Sequence, residues 1–499
     1  MTFNGGDILA YLPMLILIGM GCVILLAETF MHGRSRTGLA WLGVAGCVAA
    51  LGALAAQWSD AATPSTQFQG MLVLDRMALY LDGAFVVASL LTLLFSPAYL
   101  REQGFEFGEF YAMVLFGGAG MMMVVHANHL VALLIGIETM SLAAYVLTGC
   151  WRRNLRSIEG AIKYFLMGAF ATGFLVYGMA LVYGTTGGQL GYAGIASRVN
   201  DAAKSPVFFL GEYFILVALA FKVAAVPFHM WAPDTYEGAP TPVTGFMAAG
   251  VKAAAFGGIL RLLETAFGSP LLVFDFTGWA SVLSVLAVAT MTLGNLAAIR
   301  QENVKRLLAY SSISHAGYIL IGVVAAGLGA DGAKPAVLFY LLAYTFTTLG
   351  VFGVVAWIGN RQDERLFIDD WAGLGAARPA VALAMTLFLL SLGGVPPTGG
   401  FFAKFYLFRA AMETGNSQLY MLVVAGVLNS VISVYYYLRI VVAMYFRDAL
   451  RPLAPTDSAS TRVGLLITAI AVVFLGLFPG SFLEGAGQAA TAVAAAIVK

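Results

Sequence analysis

The chain is predicted to be an all-α polytopic membrane protein with about 14 transmembrane helices. Three observations predict this. Charge is scarce, apolar runs long enough to span recur along the whole length, and lysine and arginine concentrate in alternate loops. Of the 499 residues, 60% are hydrophobic and 11% charged, where a soluble domain carries roughly a quarter charged residues. Mean hydropathy is +0.86. A net charge of +1 excludes neither sign of partner, and no basic patch suits a nucleic acid. Cys22, Cys47 and Cys150 lie in or beside apolar segments without metal-ligand spacing, so they read as packing residues with no disulfide expected.

A span needs about 20 predominantly apolar residues. The stretch from Ile8 to Phe30 meets that length and lacks a basic segment before it, so it is expected to be a first helix rather than a cleaved signal peptide. Further spans are predicted at 38–58, 74–96, 110–126, 129–149, 157–184, 207–230, 241–266, 279–299, 304–328, 334–358, 380–412, 418–446 and 463–480. The stretch 380–412 is too long for one straight helix. Gly393, Gly394, Pro396, Pro397, Gly399 and Gly400 interrupt it, so it reads as two half-helices. The Ala- and Gly-rich end, 481–499, is open between an interfacial helix and disorder.

Orientation follows from lysine and arginine in short loops. Loops after odd-numbered spans hold fifteen: Arg34, Arg36, Arg101, Arg152, Arg153, Arg156, Arg300, Lys305, Arg306, Arg361, Arg365, Arg378, Arg447, Arg451 and Arg462. Loops after even-numbered spans hold four: Arg198, Lys204, Arg261 and Lys334. Both termini are therefore expected on the non-cytoplasmic side. The seventh and twelfth spans are each broken by proline and each carry one interior lysine, five spans apart. An odd separation gives opposite topology, the pattern of inverted repeats with broken helices at the midplane. Four regions are expected: 1–109 with the first three spans, a first five-helix repeat at 110–266, a second at 279–446, and 447–499 with the last span.

Ionisable groups well inside predicted spans are few: Glu138, Lys163, Lys222, Lys252, His315 and Lys404. A charged side chain at membrane depth is costly and usually functional. Burial moves lysine and carboxyl proton affinities toward neutral pH, and a nearby opposite charge reverses the shift, which is the physics of a proton relay. Glu138 stands in LVALLIGIETMSLAAYVL, where pairing with a lysine of another helix is the plainer alternative. Lys222 and His229 are two turns apart across the break at Pro227; His229 reads as a relay group or as a cap on freed carbonyls. Lys252, beside Gly250, Ala253 and Ala254, is a relay lysine or a structural pair. Lys163 follows Glu159 by four and suits an ordinary intrahelical pair as well. Lys404, seven residues after Pro397, could lie nearer the interface. His315, among Ser311, Ser314 and Tyr318, could line a hydrated path or bond between helices.

His126 and His129 flank a short turn and read as interfacial, and Met121–Met123 as core filler. Asp234 and Glu237, in WAPDTYEGAPTP, read as turn and cap chemistry rather than a metal site. Thr241–Pro242 reads as an N-cap and first helical position. No phosphate loop, dinucleotide fingerprint or clustered Cys/His stands in a fitting context, so neither redox chemistry nor nucleotide hydrolysis is expected in this chain.

At FKVAAVPFHMWAPDTYEGAPTPVTGFMAAGVKAAAF the sequence resembles the antiporter-like membrane subunits of respiratory complex I. QENVKRLLAYSSISHAGY at 301–318, LGGVPPTGGFFAKFYLF at 392–408 and GIETMSLAAYVL extend the likeness over most of the fourth to thirteenth spans. The pattern is similar to that of subunit N of bacterial NADH-quinone oxidoreductase: sister subunit M has glutamate where Lys404 stands, and subunit L has a long lateral helix. The resemblance implies fourteen helices in inverted five-helix repeats. It implies proton translocation driven by NADH oxidation and quinone reduction in other subunits. Glu138 and Lys222 would be the coupling pair, Lys252 the central lysine and Lys404 the way to the exit, with Lys163, His229 and His315 accessory. It implies no cofactor here, flavin and iron–sulfur clusters in partner subunits, and a bacterial cell membrane. The implied partners are subunit M, small subunits K and J, the lateral helix of subunit L, and lipid. Two alternatives stay open: a subunit of a multi-subunit cation/proton antiporter, or a structural subunit that pumps nothing.

Overall fold

Backbone N–H and C=O groups must find partners within the chain at membrane depth, which leaves helix as the structure open to isolated apolar segments. The computed structural model describes residues 8–31, 35–273, 278–359, 364–449 and 458–497, with side chains to residue 491. Arg34, Arg361 and Arg451 of the loop count lie outside these residues. The helices run α1 (Leu12–Glu28), α2 (Thr37–Gln57), α3 (Arg76–Gln103), α4 (Glu109–His126), α5 (Leu130–Thr148) and α6 (Leu155–Thr185). They continue through α7 (Tyr192–Ala202), α8 (Pro206–Lys222), α9 (Trp231–Gly238), α10 (Thr241–Thr265), α11 (Trp279–Ile299) and α12 (Val304–Gly327). The rest are α13 (Ala333–Ile358), α14 (Pro379–Gly393), α15 (Gly399–Glu413), α16 (Ser417–Phe446), α17 (Ala459–Leu477) and α18 (Pro479–Ile497). A two-stranded antiparallel hairpin, β1 (Ser65–Gln67) and β2 (Leu72–Leu74), joins α2 to α3.

Among the described residues, eleven helices are long and apolar enough to cross a membrane. α1 and α14 are apolar but shorter, and the two interrupted spans are the pairs α8/α9 and α14/α15. Of the terminal segment 481–499, the described residues are helical and belong to α18, to Ile497. α10, α12 and α13 are buried over all or nearly all of their apolar windows, whereas α2, α6, α16 and α17 show most of theirs to the outside. The polar groups lie on and around that central set.

The two breaks are built alike. After Phe221 the chain turns with Ala225 N donating to Ala220 O at 2.9 Å, and Ala224 between them takes φ +57°. In the second break Val395 N donates to Leu390 O at 2.9 Å, with Gly394 at φ +80°. This left-handed residue with its six-to-one bond is a Schellman stop. Pro227 and Pro397 each follow three residues later.

Three expectations need correction. WAPDTYEG is not a turn but the helix α9, because Trp231 and Tyr236 bury one face: the Trp231 ring stacks on Tyr164 with centroids 4.3 Å apart. Thr241 is not an N-cap. It lies in the first turn behind Pro240, and its hydroxyl donates to Glu364 at 2.9 Å. Arg261 is not a loop residue: it is buried within α10.

Candidate functional site

Lys222 is the last residue of α8, where the helix stops and carbonyls are left without intrahelical donors. It is 3% exposed. Its Nζ donates to Ser141 Oγ at 2.8 Å and Tyr145 OH at 3.3 Å, both on α5, and stands 5.6 Å from the centre of the Tyr145 ring. Glu138 is one turn before Ser141 on the same helix. Its Oε1 accepts from Thr172 Oγ1 at 2.6 Å rather than from Lys222. Its field still reaches the ammonium. The two are thus near neighbours held apart by hydroxyls, not an ion pair.

Lys252 opens the α-helical part of α10, just after the wide turn Met247–Val251. A single wide turn of this kind recurs at functional sites because it re-aims side chains. Lys252 Nζ donates to the Ser312 carbonyl at 2.5 Å and to the Ser312 hydroxyl on α12. One turn on, His315 is fully enclosed between two tyrosines. Its Nδ1 lies 2.7 Å from Tyr340 OH and its Nε2 3.2 Å from Tyr437 OH. Tyr437 in turn bonds Ser311. Lys404, on α15, reaches back over the break and donates to Leu392 O at 3.0 Å, Gly393 O at 3.2 Å and Ser430 Oγ at 2.9 Å. The Tyr318 ring lies 4.9 Å below its Nζ. The fields of both Lys252 and Lys404 reach His315.

Lys222, Lys252 and Lys404 are all buried. Among the described residues, none has a carboxylate within 4.0 Å of its ammonium. Each is held by neutral hydroxyls, carbonyls and aromatic rings, so its ammonium has no fixed counter-charge. Ser141 and Tyr145 at Lys222, Ser312 at Lys252, and Ser311, Tyr340 and Tyr437 around His315 are groups that both donate and accept, the inventory a proton hop requires.

Lys163 and His229 are placed differently. Lys163 is partly exposed and pairs with Glu159 at 2.6 Å, the predicted intrahelical partner, and with Asp234 at 2.7 Å. Asp234 also binds Arg306 at 2.6 Å, and Arg306 binds Glu237 at 2.9 Å. Asp234 and Glu237 are therefore the anionic centre of an ion-pair cluster joining α6, α9 and α12. His229 lies between α8 and α9, half-buried, with its Nδ1 enclosed and unbonded. His126 is a correction. It is buried, not interfacial: Nδ1 lies 2.8 Å from Val73 O and Nε2 2.8 Å from Asp82. A carbonyl can only accept, so Nδ1 is the donor there, and the remaining proton is shared between Nε2 and Asp82. His129 caps α5, accepting from Val131 N at 3.2 Å.

A relative from Sorangium cellulosum named NADH-quinone oxidoreductase subunit N 1 is 44% identical over an aligned length of 513 positions, gaps included, that covers 98% of this chain and 99% of the relative. The chain belongs to the subunit N family of NADH-quinone oxidoreductases. The family model "NADH:quinone oxidoreductase/Mrp antiporter, TM" matches residues 127–433. A chain in the structure of respiratory complex I from Thermus thermophilus with bound Aureothin is similar at 32% identity and TM-score 0.78, covering 95% of this chain and 98% of that one. A chain of the Mrp complex from Dietzia sp. DQ12-45-1b shares the fold at 21% identity and TM-score 0.83, covering 99% of each. As a subunit N, the protein is a proton-translocating membrane subunit of an NADH:quinone oxidoreductase, a multi-subunit complex.

The matched segment runs from the turn before α5 into α16, so it contains Glu138, Lys222, Lys252, His315 and Lys404. Several buried ionisable groups were passed over in the sequence, among them Asp82, Glu212, Lys305 and Arg261. Asp82 and Glu212 stand inside apolar runs at LYLDGAF and FLGEYF and were visible as charge at depth. Lys305 and Arg261 sit at span ends, where only the packing reveals burial. Arg261 makes a bidentate pair with Asp75 at 2.7 and 2.8 Å. Lys305 donates to Ala239 O at 2.6 Å and stands 3.5 Å from Glu364. Among the described residues, no group of three or more His, Cys, Asp or Glu side chains is placed to hold a metal ion.

Proposed function

We propose that protons cross this subunit along the row Lys222, Lys252, His315 and Lys404, with Glu138 as the electrostatic trigger. The observation that carries the reading is the three buried lysines held by neutral groups with no carboxylate in ion-pair contact. An ammonium in that setting has no fixed counter-charge, so a small change of field decides whether it keeps its proton. Glu138, within field range of Lys222 but bonded to Thr172, is such a source. Charge moved beside Glu138 by a neighbouring subunit changes the stabilisation of the Lys222 ammonium. Its proton then passes by way of Lys252 and Ser312 toward His315 and Lys404. The break carbonyls at Leu392 and Gly393 receive the cation at the far end. Lys163, through its ion-pair cluster, and His229, at the first break, modulate the row.

Glu138 lies on the outer side of α5, between the exposed Ile135 and Leu142. A carboxyl on an apolar face needs a cover, and small subunits K and J suit that place. Subunit M and the lateral helix of subunit L complete the surroundings. The flavin, the iron–sulfur clusters and the quinone site belong to partner subunits, and the membrane is the bacterial cell membrane with both termini outside the cytoplasm.

The test is NADH-driven proton uptake in inverted vesicles with electron transfer recorded alongside, comparing wild type with Lys222→Ala. The complex assembles, and pumping and turnover fall together by about a hundredfold, the lower end of what a positioned proton-transfer group contributes. Unchanged rates in the assembled variant sink the relay.

A further inference from the structure

Glu212 is a carboxyl that the row above does not use. It lies six residues into α8 and ten before Lys222, 1% exposed, and its Oε1 has no hydrogen-bond partner. Among the described residues, no cation makes an ion pair with it. Leaving a buried acceptor unbonded costs about 1–3 kcal/mol, and more if it is charged. A leucine would avoid that cost, so the position is poorly explained by packing.

The surroundings fix where the group sits. Phe208, Glu212, Ile215, Leu219 and Lys222 are the buried stripe of α8 at three- and four-residue steps. Glu212 and Lys222 are therefore on one inward side, about 15 Å apart along the axis. Beside Glu212, α8 crosses α6 at glycines: a Cβ on Gly211 would stand 3.0 Å from the Gly178 carbonyl. That close crossing seals the carboxyl from lipid. Along the stripe, from Leu216 past the level of Lys222 to Ala225, runs a small apolar void of about 10 Å³, room for about one water, closed by Ile259 of α10, Leu283 of α11 and Leu320 of α12. An apolar void conducts when wetted and blocks when dry.

We propose that Glu212 is a further proton-carrying residue of this subunit, exchanging protons between Lys222 and the membrane face on which α8 begins. The carboxyl is neutral at rest. When water enters the void the acid gives its proton to one side, and the carboxylate left behind takes one from the other, returning to the neutral acid with no net change of charge. The proposal rests on the relay reading of Lys222.

The experiment measures NADH-driven proton uptake, turnover and the amount of assembled complex for Glu212→Gln and Glu212→Leu, beside Lys222→Ala. Both Glu212 variants remove the titratable proton, and the leucine also removes an unbonded buried oxygen, so assembly survives it. Uptake per assembled complex falls by about tenfold or more in both. In infrared difference spectra of the working complex, a carboxylic-acid band of the wild type is missing from Glu212→Gln. Wild-type pumping in either assembled variant, absence of that band in the wild type, or failure of both variants to assemble overturns the proposal. If Lys222→Ala alone loses pumping, the relay stands and Glu212 leaves it. If Lys222→Ala pumps normally, the relay reading itself has failed.

Discussion

A residue buried in this protein is judged by what meets it, and Arg261 with Asp75 is the sharpest case. Their bidentate pair is enclosed, at 3% and 0% exposure of the side chains. Arg261 Nε also donates to Val125 O at 2.6 Å, and Asp75 accepts from Ala78 N at the start of α3. The pair thus ties α3, α4 and α10 where His126 and Asp82 share their proton. Breaking a buried pair by removing one partner costs about 3–5 kcal/mol, because the other charge is stranded. Arg261→Gln is expected to lower the thermal unfolding midpoint of the solubilised subunit and the yield of assembled complex. Replacing both partners, as Arg261→Met with Asp75→Asn, is expected to recover part of the loss. A single variant as stable as wild type refutes the tie. None of this was legible beforehand, since the partners are 186 residues apart and Arg261 ends an apolar run. The interior lysines were legible because each stands alone among apolar neighbours.

At the scale of the element, the two helix breaks hold Lys222 and receive Lys404 in the proposed relay, and they were unequally visible. The second announced itself through its glycines and prolines, and the half-helices fall at 379–393 and 399–413. In the first, the left-handed residue is Ala224, which carries no turn signal, so only Pro227 marked the place. The second half-helix accordingly lay further on, in α9. Gly394 offers the clean test. At φ +80° a side chain costs about 1–2 kcal/mol. A Cβ there would also stand 3.0 Å from Lys404 Cδ and 3.4 Å from its Nζ. Gly394→Ala is therefore expected to displace the ammonium from the Leu392 and Gly393 carbonyls. Proton uptake per assembled complex falls several-fold while assembly falls less. Equal losses of both would mean that the glycine serves the fold alone.

For the whole molecule, the asymmetry of lysine and arginine between alternate loops is the one long-range property the chain displays without folding. It decides which way the relay points. Several members of the count have turned out to be structural: Arg261 is buried, Lys305 and Arg306 belong to the first turn of α12, and Lys334 pairs with Glu264. Moving them out of the loops changes the margin but not its direction, because Arg152 and Arg153 remain exposed on the connection after α5. Insertion responds to charges near span ends, whether or not they later find partners. Orientation is therefore tested with single cysteines in a background lacking Cys22, Cys47 and Cys150. Asn200→Cys lies on exposed α7, between α6 and α8; Arg153→Cys lies between α5 and α6. In right-side-out vesicles a membrane-impermeant thiol reagent is expected to label Asn200→Cys and spare Arg153→Cys, with the pattern exchanged in inverted vesicles. The opposite pattern would turn the subunit over. The face where α8 begins would then be the cytoplasmic one, and Glu212 would exchange protons between Lys222 and the cytoplasm rather than the outside.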